Sequence, residues 1–353
     1  MKMTFRWYGE KDSISLDYIK QIPGMDGVVT AIYDIPVGEV WPLEKIMHLK
    51  NLCNKKGLSM EVIESVPVHE DIKLGLPTRD KYIANYKQTI INLGKAGVKC
   101  ICYNFMPVFD WTRSDLARER KDGSTVLAYN SDASESLKYD HEELLKLDSR
   151  NLHLPGWDES YSLDELNHLL NQYEGFTNED LFNNIVYFLN QIMPACDEAD
   201  IDMAIHPDDP PWSMFNLPRI ITCEESYDRL FKEVPNKHNG ITFCTGSLGA
   251  KRDNDLIKMA SKYANRIFFA HLRQIQYEGE INFIEEGHHT ACGSLDIYGI
   301  VKALVDNGFI GYVRPDHGRN IWGENNKPGY GLFDRALGAT YLIGLFEGIT
   351  KAK

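Results

Sequence analysis

Residues 79–105, RDKYIANYKQTIINLGKAGVKCICYNF, contain one repeat of the pattern that decides the fold. The first part repeats apolar residues at helical spacing and ends in a Gly, which predicts an amphipathic helix over 79–97. The second part is rich in apolar and aromatic residues, which predicts a strand over 98–105. Alternation of such helices and strands is typical of a parallel sheet with right-handed helical crossovers.

The strand pattern occurs eight times along the chain. Further helices are predicted over 42–57, 178–199 and 294–308, the last with Ser294 as its N-cap and Gly308 at its end. Eight alternating units favour an α/β fold of the closed (β/α)8 TIM-barrel type, and no GxGxxG follows the first strand as a dinucleotide-binding sheet would require. The predicted strands cover 3–9, 27–33, 58–64, 98–105, 202–207, 240–245, 266–273 and 311–316.

A long insertion, residues 106–178, follows the fourth predicted strand and far exceeds an ordinary βα loop. Its sequence predicts a short hairpin over 110–130 and small helices over 140–148 and 162–175. We expect a single TIM-barrel domain over 1–353, with the insertion on the C-terminal face, where barrels hold their active sites. The insertion could cover a substrate, build a subunit contact or be a separate decoration.

Composition limits the classes of partner. The 353 residues carry 38 Lys plus Arg against 51 Asp plus Glu, a formal net charge of -13, and no basic run stands out. Nucleic acid and anionic membranes are therefore not expected as partners. The chain shows no apolar stretch of signal-peptide or membrane-span length, so we expect a cytoplasmic protein. Seven Cys without CxxC spacing argue against a disulfide framework and a structural zinc module.

Four side chains of metal-binding type end four successive predicted strands: His206, Cys244, His271 and Asp316. Their spacings of 38, 27 and 45 residues are each about one βα unit. Because neighbouring parallel strands lie about 4.8 Å apart, side chains at their ends can converge on one ion. Taken singly, each could be a core histidine, a small apolar thiol or a helix cap. Their coincidence predicts a shared metal site.

The identity of the metal stays open at the level of residue type. Two imidazoles, a thiolate and a carboxylate suit zinc, whereas the carboxylate and additional oxygen ligands also admit Mn²⁺ or Fe²⁺. A second polar cluster, Glu285 to His289, could compete as a ligand group. We interpret it as a polar βα loop beside the site.

Two further residues have the chemistry of proton transfer. His317 follows Asp316 and begins the loop over the barrel mouth, where an imidazole could be a fifth ligand or a general acid or base. Tyr330, flanked by Gly residues, lies in the same final loop. Arginines near strand ends could bind a carboxylate through a bidentate fork or form salt bridges. The candidate substrate-binding residues are Arg6, Tyr8, Asn104, Arg273, Arg314 and Arg319.

Several segments together resemble the D-mannonate dehydratase family: FRWYG (5–9), NFMPVFDWTRSDL (104–116), AIHPDDPP (204–211), FCTGSLG (243–249), FAHLR (269–273) and RPDHGR (314–319). The resemblance implies a metal-dependent barrel related to xylose-isomerase-like folds. It also implies dehydration of D-mannonate to 2-dehydro-3-deoxy-D-gluconate in hexuronate breakdown, with Mn²⁺ or Fe²⁺ as cofactor. Carried over by position, His206, Cys244, His271 and Asp316 resemble the metal ligands, and His317 and Tyr330 the acid/base pair. We expect a homo-oligomer, most simply a dimer.

Three alternatives to this reaction stay open. A metal-dependent sugar isomerase or epimerase on the same barrel would also begin by removing a proton next to a carbonyl. A metal-dependent phosphodiesterase or abasic-site nuclease is disfavoured by the net charge of -13. A non-catalytic sugar-acid binding or regulatory protein would leave the proton-transfer residues without a use.

Overall fold

The computed structural model describes residues 1–131 and 163–353. Eight parallel strands close into a barrel in the order β1, β12, β9, β8, β7, β4, β3, β2. The barrel strands are β1 (Lys2–Arg6), β2 (Gly27–Thr30), β3 (Ser59–Glu64), β4 (Cys100–Tyr103), β7 (Asp202–Ile205), β8 (Asn239–Cys244), β9 (Ile267–Leu272) and β12 (Tyr312–Pro315). The prediction of a (β/α)8 barrel is confirmed, and each of the eight predicted segments overlaps one barrel strand.

The predicted strands are mostly longer than the observed ones. The first was expected to reach residue 9, yet β1 ends at Arg6. Trp7, the next residue, is only 4% exposed, so the chain stays apolar and buried beyond the end of the strand. Apolar character therefore marks burial in this region, and it does not mark where the sheet pairing stops.

Helices surround the barrel at the predicted places. The predictions over 42–57, 79–97 and 178–199 correspond to helices Leu43–Lys55, Arg79–Lys95 and Asn178–Ala199. In chain order the helices are α1 (Leu16–Lys20), α2 (Leu43–Lys55), α3 (Glu70–Leu74), α4 (Arg79–Lys95), α5 (Leu163–Gln172), α6 (Asn178–Ala199), α7 (Glu224–Glu233), α8 (Thr245–Ala250), α9 (Leu256–Tyr263), α10 (Ile297–Asp306) and α11 (Phe333–Lys351).

One helix start was predicted wrongly. The N-cap of α10 is Asp296, whose carboxylate accepts a hydrogen bond from the Gly299 amide at 2.9 Å. Ser294 was expected in that role, but its hydroxyl accepts from the amide of Tyr277 at 3.0 Å. Both side chains are good caps, so composition alone could not choose between them.

The barrel interior is apolar below the mouth. Val29, Val62, Cys100, Cys102, Ala204 and Phe269 form a buried cluster contributed by five strands. The alternate residues of the same strands, such as Ile63, Ile101 and Ile205, join the main core with the surrounding helices. Cys100 and Cys102 are thus buried residues of this cluster. Barrels of this kind hold their chemistry at the C-terminal ends of the strands, above this cluster.

The described part of the insertion contains the predicted hairpin, β5 (Asp115–Glu119) and β6 (Thr125–Tyr129). It pairs with a second hairpin, β10 (Gln274–Tyr277) and β11 (Phe283–Glu286), in a sheet ordered β10, β11, β6, β5. The predicted helix over 162–175 is present as α5, and the one predicted over 140–148 lies outside the described residues. In the described ranges, no helix combines the length and apolarity needed to cross a bilayer.

Candidate metal centre and active site

Three of the four predicted ligands meet at the mouth of the barrel. Cys244 and His271 lie in the adjacent strands β8 and β9, and His206 directly follows β7, the next strand of the barrel. The ligand atoms of the three residues all lie within 4.8 Å of one another. Cys244 and His271 are direct partners in the register of β8 and β9. Both are fully buried, whereas His206 is partly accessible from the cavity above. Parallel strands therefore bring together residues that are far apart in sequence.

The nitrogens of the two histidines suit a metal. His206 Nδ1 lies 2.7 Å from the carbonyl oxygen of Pro207, and since a carbonyl only accepts, this nitrogen carries the proton. That tautomer leaves Nε2 of His206 with its lone pair free for an ion. At His271 the Arg314 guanidinium lies 3.4 Å from Nδ1, and the buried Nε2 has no hydrogen-bond partner but lies 3.5 Å from Glu64 Oε2. Two imidazoles and a thiol fit a borderline divalent cation.

Asp316 lies beside this group. Its Oδ2 is 3.4 Å from Cys244 Sγ, and Arg314 contacts its Oδ1 at 2.8 Å. Burial alone would raise the pKa of Asp316, but the charges of Arg314, His317 and Arg273 hold it well below its usual value. The carboxylate is therefore ionised and adjacent to Cys244, although it is not part of the group of three ligand atoms that lie within 4.8 Å of one another.

A cavity of about 160 Å³ opens above these residues. Its walls include His206, Asp316, His317 and Tyr330. They also include five of the six predicted substrate-binding residues: Arg6, Tyr8, Asn104, Arg273 and Arg314. The structure thus gathers two candidate metal ligands, both proton-transfer candidates and five substrate-binding candidates around one space. The role of each residue stays a prediction.

Arg319 is the exception among the substrate-binding candidates. Arg319 is not among the described residues that line the cavity. Its guanidinium pairs with Asp334 at 2.8 Å and with Asp122 at 3.3 Å. The strand ends at Pro315, so the alternation of side chains along it does not extend to residue 319. The geometry places Arg319 in a salt bridge, the alternative that the sequence had left open.

The arginines in the cavity wall already have carboxylate partners. Arg314 pairs with Glu64 at 2.9 Å as well as with Asp316, and Arg6 lies 3.6 Å from Glu64. These carboxylates compensate the buried positive charges, which would otherwise be strongly unfavourable. Nε and one terminal nitrogen of Arg314, together with Nε of Arg6, are buried without a hydrogen-bond partner. Those N–H groups are available to an anionic ligand.

The two proton-transfer candidates contact each other. Tyr330 OH lies 3.0 Å from His317 Nε2, and both side chains are buried. Burial is the main cause that raises the pKa of Tyr330, so the phenol keeps its proton near neutral pH. A protonated phenol beside an imidazole forms a pair that can donate one proton and accept another.

Sequence reasoning missed several residues around His317. Glu285 Oε2 lies 2.9 Å from His317 Nδ1, although its segment had been interpreted only as a neighbouring polar loop. Asp209 forms a buried ion pair with Arg273 at 2.9 Å, and Trp111 of the insertion packs against the imidazole. The AIHPDDPP and NFMPVFDWTRSDL segments held the signal for Asp209 and Trp111. Nothing local in the sequence pairs Glu285 with His317, because 32 residues, including helix α10 and strand β12, separate them.

Comparison with known proteins identifies the family. The model of the D-mannonate dehydratase (UxuA) family matches residues 1–353. The chain belongs to the D-mannonate dehydratase family. A mannonate dehydratase of Thermotoga petrophila is 55% identical over 359 residues, covering 100% of this chain and 99% of the relative. The family resemblance predicted from the six sequence segments is therefore confirmed.

Solved structures agree with that membership. The crystal structure of mannonate dehydratase from Streptococcus suis serotype 2 superposes with a TM-score of 0.87 at 47% identity, covering 100% of this chain and 94% of that one. D-psicose 3-epimerase from Clostridium cellulolyticum H10 gives a TM-score of 0.57 at 12% identity, covering 99% of each chain. The second likeness shows only the barrel fold that this D-mannonate dehydratase family member shares with other sugar enzymes.

Proposed function

We propose that the protein dehydrates D-mannonate to 2-dehydro-3-deoxy-D-gluconate and water, a hydro-lyase reaction of hexuronate breakdown. One observation carries the proposal: His206, which belongs to the group with Cys244 and His271, lines the same cavity as the His317 and Tyr330 pair. Its family membership and the 55% identity to a mannonate dehydratase along the whole chain support the same substrate.

The proposed ligands of the cofactor are His206, Cys244, His271 and Asp316. We favour Mn²⁺ or Fe²⁺ and keep Zn²⁺ as an alternative, because the donor set contains both soft and hard ligands. When bound, such an ion supplies the positive charge that stabilises the enediolate formed from the sugar acid. The ionised state of Asp316 supports its place in the set.

Elimination of water requires a base at C2 and an acid at the 3-hydroxyl. We assign His317 as the base, since its Nε2 faces the cavity with Tyr330 OH 3.0 Å away. The C2–H bond breaks as the proton moves to Nε2, and the electron pair forms the double bond as the 3-hydroxyl leaves. Tyr330 fits the acid, because its raised pKa keeps a proton available for the departing hydroxyl.

In this proposal the arginines of the cavity wall orient the substrate. The unpartnered N–H groups of Arg314 and Arg6 can hold the substrate carboxylate, with Tyr8 and Asn104 close to the sugar hydroxyls. A carboxylate fixed in this way would present C2 to His317. Arg273 serves differently in this proposal, because its guanidinium is already shared among Asp209, Glu285 and His317.

We also propose that the insertion covers the active site. Asp110 and Trp111 line the cavity, so the start of the insertion stands over the C-terminal face of the barrel. Exclusion of water by such a cover strengthens every electrostatic interaction beneath it. The single-domain organisation, the homodimer and the cytoplasmic location stay predictions.

The test is to strip the protein with a chelator and assay D-mannonate with Mn²⁺, Fe²⁺ or Zn²⁺ added back singly. A dehydratase yields a 2-keto-3-deoxy acid, whereas an isomerase or epimerase conserves the water and leaves the mass of the substrate unchanged. Saturable binding of mannonate without turnover would instead favour a binding protein. Absence of the 2-keto-3-deoxy product with every metal would overturn the proposal.

A further inference from the structure

The Nδ1 atom of His317 has two neighbours that require opposite protonation states. Glu285 Oε2 lies 2.9 Å from it, and an ionised carboxylate can only accept a hydrogen bond. An N–H group of Arg273 lies 2.7 Å from the same nitrogen, and a guanidinium can only donate. A neutral imidazole can satisfy only one of them at Nδ1. Whether Glu285 or Arg273 bonds to Nδ1 determines which tautomer His317 adopts.

The tautomer decides whether His317 can act as the proposed base. If Nδ1–H donates to Glu285, Nε2 keeps its lone pair on the cavity side, where Tyr330 OH lies 3.0 Å away. If Arg273 donates to Nδ1, the proton moves to Nε2, and that nitrogen can no longer take a proton from substrate. Only the tautomer that Glu285 favours is competent.

The surroundings of Glu285 keep it ionised. Its side chain is 1% exposed, and Arg113 contacts its Oε1 at 2.7 and 2.9 Å. Arg273 adds a third contact at 3.1 Å. Burial opposes ionisation, but the charges of Arg273, His317 and Arg113 lower the pKa of Glu285 to about 2. The carboxylate is therefore an obligate acceptor at neutral pH.

Arg113 is itself fixed in place from its other side. Its two terminal nitrogens contact the carboxylate of Asp209 at 2.7 and 3.0 Å, so the guanidinium spans Asp209 and Glu285. Arg113 is fully buried and lies in the insertion. Through Arg113, the insertion thus holds in place the carboxylate of Glu285 that faces His317.

We propose that Glu285 is a positioning residue that holds His317 in the Nδ1–H tautomer against the competing donor Arg273. The inference rests on the proposed function, in which His317 Nε2 accepts the C2 proton. After that transfer the imidazolium carries protons on both nitrogens, and the Glu285 carboxylate balances its charge while Arg273 repels it. Glu285 therefore favours both the reactive tautomer and the product of the proton transfer.

The variant that isolates this role is Glu285→Gln, which keeps the size of the side chain and removes its charge. We expect kcat to fall about 100-fold or more, the usual contribution of general acid or base catalysis, with little change in KM and in bound metal. The matched control is Glu286→Gln, on the opposite face of the same strand, where the native carboxylate pairs with Arg120. The control should keep the wild-type kcat.

A direct measurement of the tautomer separates positioning from a general structural role. We would record ¹⁵N spectra of histidine-labelled protein loaded with Zn²⁺, which has no unpaired electrons, and identify the His317 signal by its absence in His317→Asn. Wild-type protein should show Nδ1–H, and Glu285→Gln should shift toward Nε2–H. Glu285→Asp, which retains an acceptor, should keep Nδ1–H and recover part of kcat.

Each outcome decides the proposal. An Nε2–H signal in the wild type would overturn it without any variant, and so would a wild-type kcat in Glu285→Gln or a low kcat with the Nδ1–H signal unchanged. If Glu285→Gln fails to fold, the wild-type spectrum and the Glu285→Asp variant still provide the test. Failure of the wild type to dehydrate D-mannonate would refute the proposed function, whereas the spectra would still report whether Glu285 sets the tautomer.

Discussion

The indole of Trp111 packs against the imidazole of His317, with ring centroids 5.1 Å apart and an angle of 55° between the planes. Trp111 belongs to the insertion and forms a β-bridge with Asp209 on the loop after β7. His317 is therefore enclosed by Trp111, by Glu285 and by Tyr330, and the last two each bond to one of its ring nitrogens. The insertion is part of the active-site wall in this arrangement.

Trp111→Ala should lower activity without removing the metal. The loss of the ring frees His317 to rotate and admits water, so we expect kcat/KM for D-mannonate to fall at least about tenfold, or about 1.4 kcal/mol of transition-state stabilisation. Trp322→Ala is the control, because Trp322 is 72% exposed and does not line the cavity. Equal activities in Trp111→Ala and Trp322→Ala would show that Trp111 of the insertion does not contribute to catalysis.

Cys244→Ala should lower the amount of bound metal. The thiol lies within 4.8 Å of the ligand atoms of His206 and His271, so its removal takes away one donor of the proposed site. Loss of even an outer-shell partner weakens metal binding roughly 10–100-fold, and we expect at least that range here. Metal per chain can be measured after dialysis against a fixed free concentration. Cys196→Ala, a buried thiol of α6, should keep full metal content.

His317→Asn should have the opposite pattern, with normal metal content and very low turnover. Asn cannot act as a base at neutral pH, so we expect kcat to fall about 10²–10⁴-fold. Metal analysis and product formation measured on one preparation would check both parts. Normal turnover would remove His317 from its role, and loss of metal would make it a ligand.

Measurements of KM can distinguish the roles predicted for Arg319 and Arg6. Arg319→Ala should leave KM for D-mannonate unchanged, because the guanidinium is occupied by Asp334 and Asp122 away from the cavity. Arg6→Ala should raise KM, since Arg6 lines the cavity with an unpartnered N–H group. A higher KM in Arg319→Ala would show that the salt bridge gives way when substrate binds.

Much of this site follows from local sequence patterns. Each barrel strand and its following helix are short-range features, and the closed barrel then brings every strand end to one face. His206, Cys244, His271 and Asp316 could therefore be grouped from their positions at strand ends. The family resemblance added the reaction and the pairing of His317 with Tyr330.

The site residues that the sequence did not predict depend on contacts between loops that are distant in the chain. Glu285 reaches His317 through a hairpin that pairs with the insertion, and Arg113 spans Asp209 and Glu285 across almost half of the chain. No periodicity encodes such pairs. The position of Arg319 away from the cavity could not be read from the sequence either, because strand alternation holds only as far as the strand itself, which ends at Pro315.

A last prediction concerns His288, whose two ring nitrogens are buried without hydrogen-bond partners. Burial, only partly opposed by the charges of Asp334 and Asp316, lowers its pKa from 6.5 to about 4. Between pH 6.5 and about 4, His288 of the unfolded chain takes up a proton that His288 of the native protein does not bind. This contribution to stability is therefore complete above pH 6.5 and is lost as the pH falls toward 4, on the order of 3 kcal/mol in all.

His288→Leu should flatten that dependence, because it removes the titrating group and fills the same buried space with carbon. Urea unfolding of both proteins after chelator treatment, at several values between pH 7.5 and 4.5, would give the free energies of unfolding. Metal ligands and all other titrating groups are common to the two proteins, so the difference between their slopes isolates His288. Parallel pH profiles would show that His288 becomes protonated in the native state near its ordinary pKa, and that the cost of burying it is met in another way.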